Sequence, residues 1–280
     1  MGHDKLRKFA ENENFACLLQ PETRPLLANG YDRLLDHPVK GHWSDFFSRL
    51  GFWNGDAPLV LELGCGKGEY SVALAEKYPE KCYVGVDIKG ARLWKGAKYA
   101  TANSLPNVAF LRSRIEFIGA FFAPDEVSEI WLTFSDPQIR KENLRLSSPI
   151  FLERYRKMLK KDGIVHLKTD SRFLHEYTKA VCRANGFEVL SCTEDLYGGA
   201  FEGAAPAPEV SAVQTFYEGI FRSQGYKINY LAFRPSGEAP IVSPSDFDAD
   251  YWRSVEGPRQ LFGRDTAETR RQKIKLPTEV

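Results

Sequence analysis

Leu59-Val60-Leu61-Glu62-Leu63 runs directly into Gly64-Cys65-Gly66-Lys67-Gly68, and a helical pattern starts at Glu69. This junction constrains the chain more than any other segment. A short apolar run closed by three alternate glycines has to be a strand that turns sharply into a helix, because glycine takes backbone conformations that a Cβ forbids. Glycine also lets another molecule approach the main chain, and a helix starting there offers free N–H groups to an anion.

The alternation persists downstream. Strands are expected at Leu59–Leu63, Cys82–Ile88, Val108–Leu111, Glu129–Phe134, Gly163–Thr169, Phe187–Ser191 and Lys227–Phe233. Several are continuous apolar runs, as parallel strands buried on both faces require. Helical spacing separates them at Glu69–Tyr78, Ala91–Asn103, Ser148–Lys161 and Ser171–Asn185, with Gly163 and Gly186 as stops. The prediction is an α/β fold with a doubly wound, seven-stranded, Rossmann-like sheet and right-handed crossovers. A loop from Gly198 to Pro208 and a short helix near Val213–Arg222 separate the last two strands. A seventh strand entering antiparallel after such an insertion is the habit of class I methyltransferases, which this order resembles. Residues 41–233 are expected to form that domain, opening on an aromatic helix (Trp43, Phe46, Phe47, Leu50). Residues 1–40 read as a basic arm and residues 234–280 as a loosely docked tail rich in Pro, Ser and charge.

Composition narrows the chemistry. No apolar run approaches the roughly 18 residues a membrane helix needs, and no apolar signal core follows Met1, so a cytoplasmic protein is expected. Five scattered cysteines without a CxxC pair argue against a disulfide framework or a thiolate zinc site. The five histidines show no ligand spacing either, and no metal is expected. Net charge is only +1, yet eight basic residues against two acidic ones fall between Arg140 and Lys161. A second basic stretch, seven against three, spans Arg253–Lys275. Local basic stretches on a neutral chain fit a polyanion footprint, or two solvated helix faces.

The glycine spacing is GxGxG, whereas the dinucleotide fingerprint is GxGxxG. Gly64, Gly66 and Gly68, with Glu62 two residues ahead to meet an ammonium and Asp87 ending the second strand to meet ribose hydroxyls, point to S-adenosylmethionine. Asp136-Pro137 follows the fourth strand, at the edge facing the same crevice. It shares Asp-Pro with the [DN]PP[YF] motif of exocyclic-amine methyltransferases, but Gln138 and Ile139 supply neither the second proline nor the stacking aromatic.

The whole set resembles the tRNA (guanine-N7-)-methyltransferase family from about Gly41 to Phe233. Its carriers are the glycine loop, Phe134-Ser135-Asp136-Pro137 with Arg140 and Lys141, Arg145-Leu146-Ser147-Ser148-Pro149, Lys168-Thr169-Asp170 and Thr215-Phe216-Tyr217-Glu218. The resemblance implies that Glu62 and Asp87 bind the cofactor and that Asp136 stands at the cofactor–base boundary. It implies that Arg140, Lys141 and Arg145 contact tRNA. Asp170 and Thr215, Tyr217 and Glu218 are implied in guanine recognition, which makes Asp136 and Asp170 the catalytic pair. The family usually carries an aromatic after Asp-Pro, where this chain has Gln138. It often has an acid after the third strand, where this chain reads Ser113-Arg114-Ile115-Glu116. Arg114, Ile115 and Glu116 are therefore candidates for the adenine end, through the Glu116 carboxylate or a main-chain N–H.

Other readings of the residues are a class I methyltransferase acting on another RNA or a small molecule, and a non-catalytic RNA-binding relative. Asp170 also reads as a helix N-cap, and Glu218 as an exposed helix charge. Oligomeric state stays open, a homodimer included.

Overall fold

The computed structural model describes residues 3–30, 33–256, 260–261 and 264–265. Among the described residues, nine strands form one sheet: β1 (Leu18–Leu19), β2 (Leu59–Leu63), β3 (Cys82–Asp87), β4 (Val108–Arg112), β5 (Val127–Thr133), β6 (Leu159–Thr169), β7 (Glu188–Thr193), β8 (Glu202–Gly203) and β9 (Asn229–Arg234). Their order is β1-β4-β3-β2-β5-β6-β9-β7-β8. The seven expected strands form the middle, and two-residue strands extend both edges. Pairings from β1 through β6 are parallel, and β9 inserts antiparallel between β6 and β7.

Chain order reverses between β2 and β5, so the crevice outside their carboxyl ends is the topological switch point where α/β sheets bind ligands. The helices are α1 (His3–Asn12), α2 (Thr23–Leu26), α3 (Trp43–Arg49), α4 (Glu69–Lys77), α5 (Gly90–Ala102), α6 (Pro149–Met158), α7 (Arg172–Ala184), α8 (Pro208–Ala212), α9 (Phe216–Ser223) and α10 (Ala249–Glu256). Every residue of β2 and β3 is buried, which is why they read as continuous apolar runs. Helix α6 stops at Met158 rather than Lys161, because Leu159 already pairs with Val127.

Both flanking segments are more integrated than their composition suggests. Leu18 and Leu19 pair with Phe110 and Leu111, and the Asn12 amide donates to the Gly90 carbonyl at 3.0 Å. At the other end, the Gly237 and Ala239 carbonyls accept from Arg156 of α6, and residues 242–256 run along α7: Val242 N donates to Asn185, Arg183 pairs with Asp246, and Phe247 packs its ring against Phe173 and Tyr177. Short local apolar content concealed this docking, since its partners are contributed by α6 and α7. Beyond Glu256, the basic stretch expected up to Lys275 lies almost wholly outside the described residues.

Candidate active site

The glycine loop is pinned before it meets anything else. Gly64 N and Cys65 N both donate to the Val86 carbonyl, at 2.8 and 3.1 Å, which ties the turn to the end of β3. Gly64, Gly66 and Gly68 have φ of +81°, +59° and +71°, the left-handed region that other residues enter at a cost. They differ in what surrounds them. A Cβ on Gly66 meets no atom within 4 Å, whereas one on Gly68 would stand 2.3 Å from the Phe110 ring. Gly85 and Gly96 also face that ring, at 3.0 and 2.6 Å. Three glycines thus make room for one buried phenylalanine.

Two adjoining cavities meet at Gly64. The larger, about 320 Å³, is lined by Asp87, Arg114, Ile115, Glu116, Gln138 and apolar groups including Leu146 and Phe151. The smaller, about 120 Å³, is lined by Glu62, Gly66, Thr133, Phe134, Thr215 and Tyr217 among others. The structure therefore brings Asp87 and the Arg114–Glu116 turn to one side of the loop, and Glu62 with the Thr215 segment to the other. Arg114 donates to Glu116 Oε1 at 3.0 Å and lies over the Phe117 ring.

Both acids are held by their own surroundings. Glu62 Oε2 accepts from Ser71 N and Ser71 Oγ, and Oε1 accepts from Thr133 Oγ1. Burial pushes its carboxyl up to about 7 despite those donors, and Asp87 adds to the rise. Asp87 accepts from Gly66 N at 3.0 Å and Lys89 N at 2.7 Å. An ionised carboxylate offers about four acceptor sites. Glu62 has spent three and Asp87 two.

Asp136 sits exposed in a tense loop. Phe134 and Gln138, on either side of it, are non-glycine residues at φ +49° and +45°, and Gln138 N donates to Asp136 Oδ1. Strain of this kind persists where surrounding structure over-determines it, and it concentrates at functional loops. Phe134 lines the smaller cavity and Gln138 the larger, so the loop spans both. Phe134 N donates to the Lys168 carbonyl, which puts the Asp136 loop and the Thr169-Asp170 turn at neighbouring strand ends. The N-cap of α7 is Ser171, not Asp170, which stands half-buried just before it.

Two substrate-contact expectations need correction. Arg145 is only 4% exposed; its guanidinium lies over Phe173 and Tyr177 and donates to the Gln138 and Ile139 carbonyls. It braces the Asp136 loop from within and is not presented to a phosphate, whereas Arg140 and Lys141 are exposed. Glu218 is fully buried, neither a free recognition group nor an exposed charge. It forms a capping box with Thr215, accepts from Tyr197 Oη, and pairs with Lys168 Nζ at 2.9 Å.

Lys168 is the residue the sequence did not single out. Its ammonium is fully buried and also donates to the Val210 and Val213 carbonyls, at 2.7 and 2.9 Å. Its place within Lys168-Thr169-Asp170 was the available signal, but nothing local showed that the three donors would meet the segment from Val210 to Glu218, 42 to 50 residues away. Lys67, inside the glycine loop, places its ammonium 5.8 and 5.7 Å from the Phe216 and Tyr217 rings and so links the two halves of the smaller cavity.

Residues 56–225 match the model of the family described as "Putative methyltransferase". A tRNA (guanine-N(7)-)-methyltransferase of Christiangramia forsetii is 46% identical over 82% of this chain and 97% of its own length. The protein of the same name from Bacteroides thetaiotaomicron is 42% identical over 91% of this chain and 95% of its own. The chain belongs to the tRNA (guanine-N7-)-methyltransferase family. Another relative with that name, from Porphyromonas gingivalis, is 48% identical over 70% of this chain and 77% of its own. Among solved structures, the 16S rRNA methyltransferase KamB shares the fold with a TM-score of 0.50 at 16% identity, covering 71% of this chain and 94% of that one. The antiparallel strand expected from the class I resemblance is β9. Among the described residues no helix is long and apolar enough to cross a membrane, and no group of three His, Cys, Asp or Glu side chains is placed to hold a metal ion.

Proposed function

We propose that this methyltransferase moves a methyl group from S-adenosylmethionine to N7 of a guanine in tRNA, in the variable loop by family resemblance. The observation that carries the reading is the pair of cavities joined at Gly64, with one acid of unspent acceptor capacity in each and the Asp136 loop spanning both. The residues fit the cofactor. The single acceptor site remaining on Glu62 suits an ammonium, and the two remaining on Asp87 suit a pair of ribose hydroxyls. Gly66 leaves open space where a ligand needs close approach. Ile115 and Glu116, in the Asp87 cavity, take the adenine end.

When bound, S-adenosylmethionine supplies an electrophilic methyl group on a sulfonium. Guanine N7 has an in-plane lone pair and no proton, so the chain needs no general base. Its task is alignment, worth roughly 7–11 kcal/mol where reacting atoms are well placed. Asp136 and Asp170, from neighbouring strand ends, provide negative charge for a base that becomes cationic. Asp170 accepts from the guanine N1–H and amino group, a donor pattern that adenine lacks. Thr215 and Tyr217 close the base side, held there by Glu218 rather than joined by it. Arg140 and Lys141 meet backbone phosphates, which makes tRNA binding weaken steeply with salt.

Labelled cofactor, unmodified tRNA and purified protein are expected to yield 7-methylguanosine. Methylation at another atom, or of a small acceptor only, overturns the proposal. Asp170→Ala removes one buried hydrogen-bond partner, about 1–3 kcal/mol, and is expected to lower turnover by about one to two orders of magnitude. Cofactor affinity stays within about twofold in that variant; its collapse would place Asp170 in the cofactor site instead.

Glu62 gives the cofactor site a pH signature. Its carboxyl is raised to about 7, above an unfolded value near 4.5, so the folded protein holds the proton that the unfolded chain has lost. Ionisation is what an ammonium needs. Cofactor affinity measured by calorimetry is therefore expected to fall as pH drops below about 7. It falls again above about 8, where an α-amino group loses its charge. Glu62→Gln removes the acidic limb. A flat profile from pH 5.5 to 7 in the parent protein would exclude Glu62 as the ammonium partner.

A further inference from the structure

Helix α7 begins beside Asp170, and its first turn is capped from far away. Ser171 Oγ accepts from Leu174 N in the ordinary N-cap manner and donates to Glu256 Oε1 at 2.6 Å. Glu256 Oε2 accepts from Phe173 N at 3.0 Å, and Ser171 N donates to Thr169 Oγ1. Phe173 N and Leu174 N, which helix geometry leaves without an internal partner, are thereby satisfied. The carboxylate also stands at the positive end of the helix dipole. Glu256 lies outside residues 56–225, the part of the chain that the family model matches.

The same segment braces the second acid. Phe247 meets Phe173 and Tyr177 edge-on, with ring centroids 5.3 and 5.4 Å apart. Those two rings are the floor beneath the Arg145 guanidinium, which in turn holds the Gln138 and Ile139 carbonyls just after Asp136. Trp252 adds its ring to the Arg172 guanidinium at 5.5 Å. One C-terminal strap therefore reaches the Asp136 loop through Phe247 and the Asp170 turn through Glu256.

We infer that Glu256 is a positioning residue for methyl transfer, fixing the Thr169-Asp170-Ser171 turn so that Asp170 meets the acceptor base. The inference rests on the reading of Asp170 given above. Glu256 touches neither cofactor nor base; it acts through α7.

The test uses the full chain with Glu256→Ala and Glu256→Gln, assayed well below the melting temperature of every variant. Glu256→Ala is expected to lower kcat on tRNA by roughly ten- to a hundredfold, the scale of a misplaced reacting group. Its S-adenosylmethionine affinity stays within about twofold, because the glycine loop is untouched. Glu256→Gln retains one acceptor oxygen and recovers part of the rate. Amide exchange is expected to quicken at residues 171–174 in Glu256→Ala and to stay unchanged at residues 64–68. An unchanged kcat with a lowered melting temperature would overturn the inference and leave the strap a packing element. Loss of cofactor affinity in parallel with kcat would overturn it too, as general loosening. The two readings fail separately: an inactive parent protein counts against tRNA methylation, whereas unchanged exchange at residues 171–174 counts against the clamp whatever the activity.

Discussion

Replacing Lys168 with methionine is expected to cost about 3–5 kcal/mol of stability, the penalty for stranding one member of a buried ion pair. Both partners are fully buried, and Lys168 distributes its three donors over Glu218, Val210 and Val213. Burial pulls the lysine below its ordinary range, and the facing carboxylate is what keeps it charged. Methionine leaves Glu218 without its counter-charge and two carbonyls without donors. A urea midpoint, with the slope checked for constancy, measures the loss. Replacing both members by apolar residues is not expected to restore the protein, although buried pairs elsewhere tolerate it. Glu218 also caps α9 through Thr215 and accepts from Tyr197, and those duties have no apolar substitute. If Lys168→Met loses less than about 1 kcal/mol, the pair does not anchor the segment that carries Thr215 and Tyr217.

The second large effect falls on the glycine loop. Gly68→Ala is expected to destabilise the fold by about 2–5 kcal/mol, combining left-handed strain with overpacking. Its new methyl would stand 2.3 Å from Phe110 Cε1 and 2.8 Å from Cζ, at φ +71°. Gly66→Ala shares the strain but meets no protein atom within 4 Å, so it is expected to lose about 1–2 kcal/mol. Binding should order the two the other way. At temperatures where both are folded, Gly66→Ala loses the larger share of cofactor affinity, because its Cβ points into the space a ligand uses. Thermal melts paired with calorimetric titration separate the two. An equal split between stability and affinity in both variants would mean that the three glycines share one role.

The sequence carried much of this. Short, largely apolar runs marked the seven central strands, and β2 and β3 read as continuous because strands buried on both faces have no polar face to show. The spacing of Gly64, Gly66 and Gly68, with Glu62 and Asp87 at strand ends, marked the crevice without any structure. Errors fell where a side chain's partner is remote. Arg145 reads as a surface cation in a basic stretch, yet Phe173 and Tyr177 bury it. Glu218 reads as a guanine-recognition group or an exposed helix charge until Lys168, 50 positions earlier, is placed beside it. The tail reads as loose because its apolar contacts belong to α7.

The sequence alone determined that a glycine turn joins a buried strand to a helix with acids flanking it, because backbone sterics and periodicity are local properties. Tertiary structure decided what each glycine is for. Gly66 faces open space and Gly68 faces Phe110, two strands away in the sheet, and no spacing rule distinguishes them. It also decided which charges stay at the surface and which are built into the fold, as with Arg140 against Arg145. Burial and pairing arise only when distant segments close on one another, and the energy of a buried charge depends almost entirely on what it meets there.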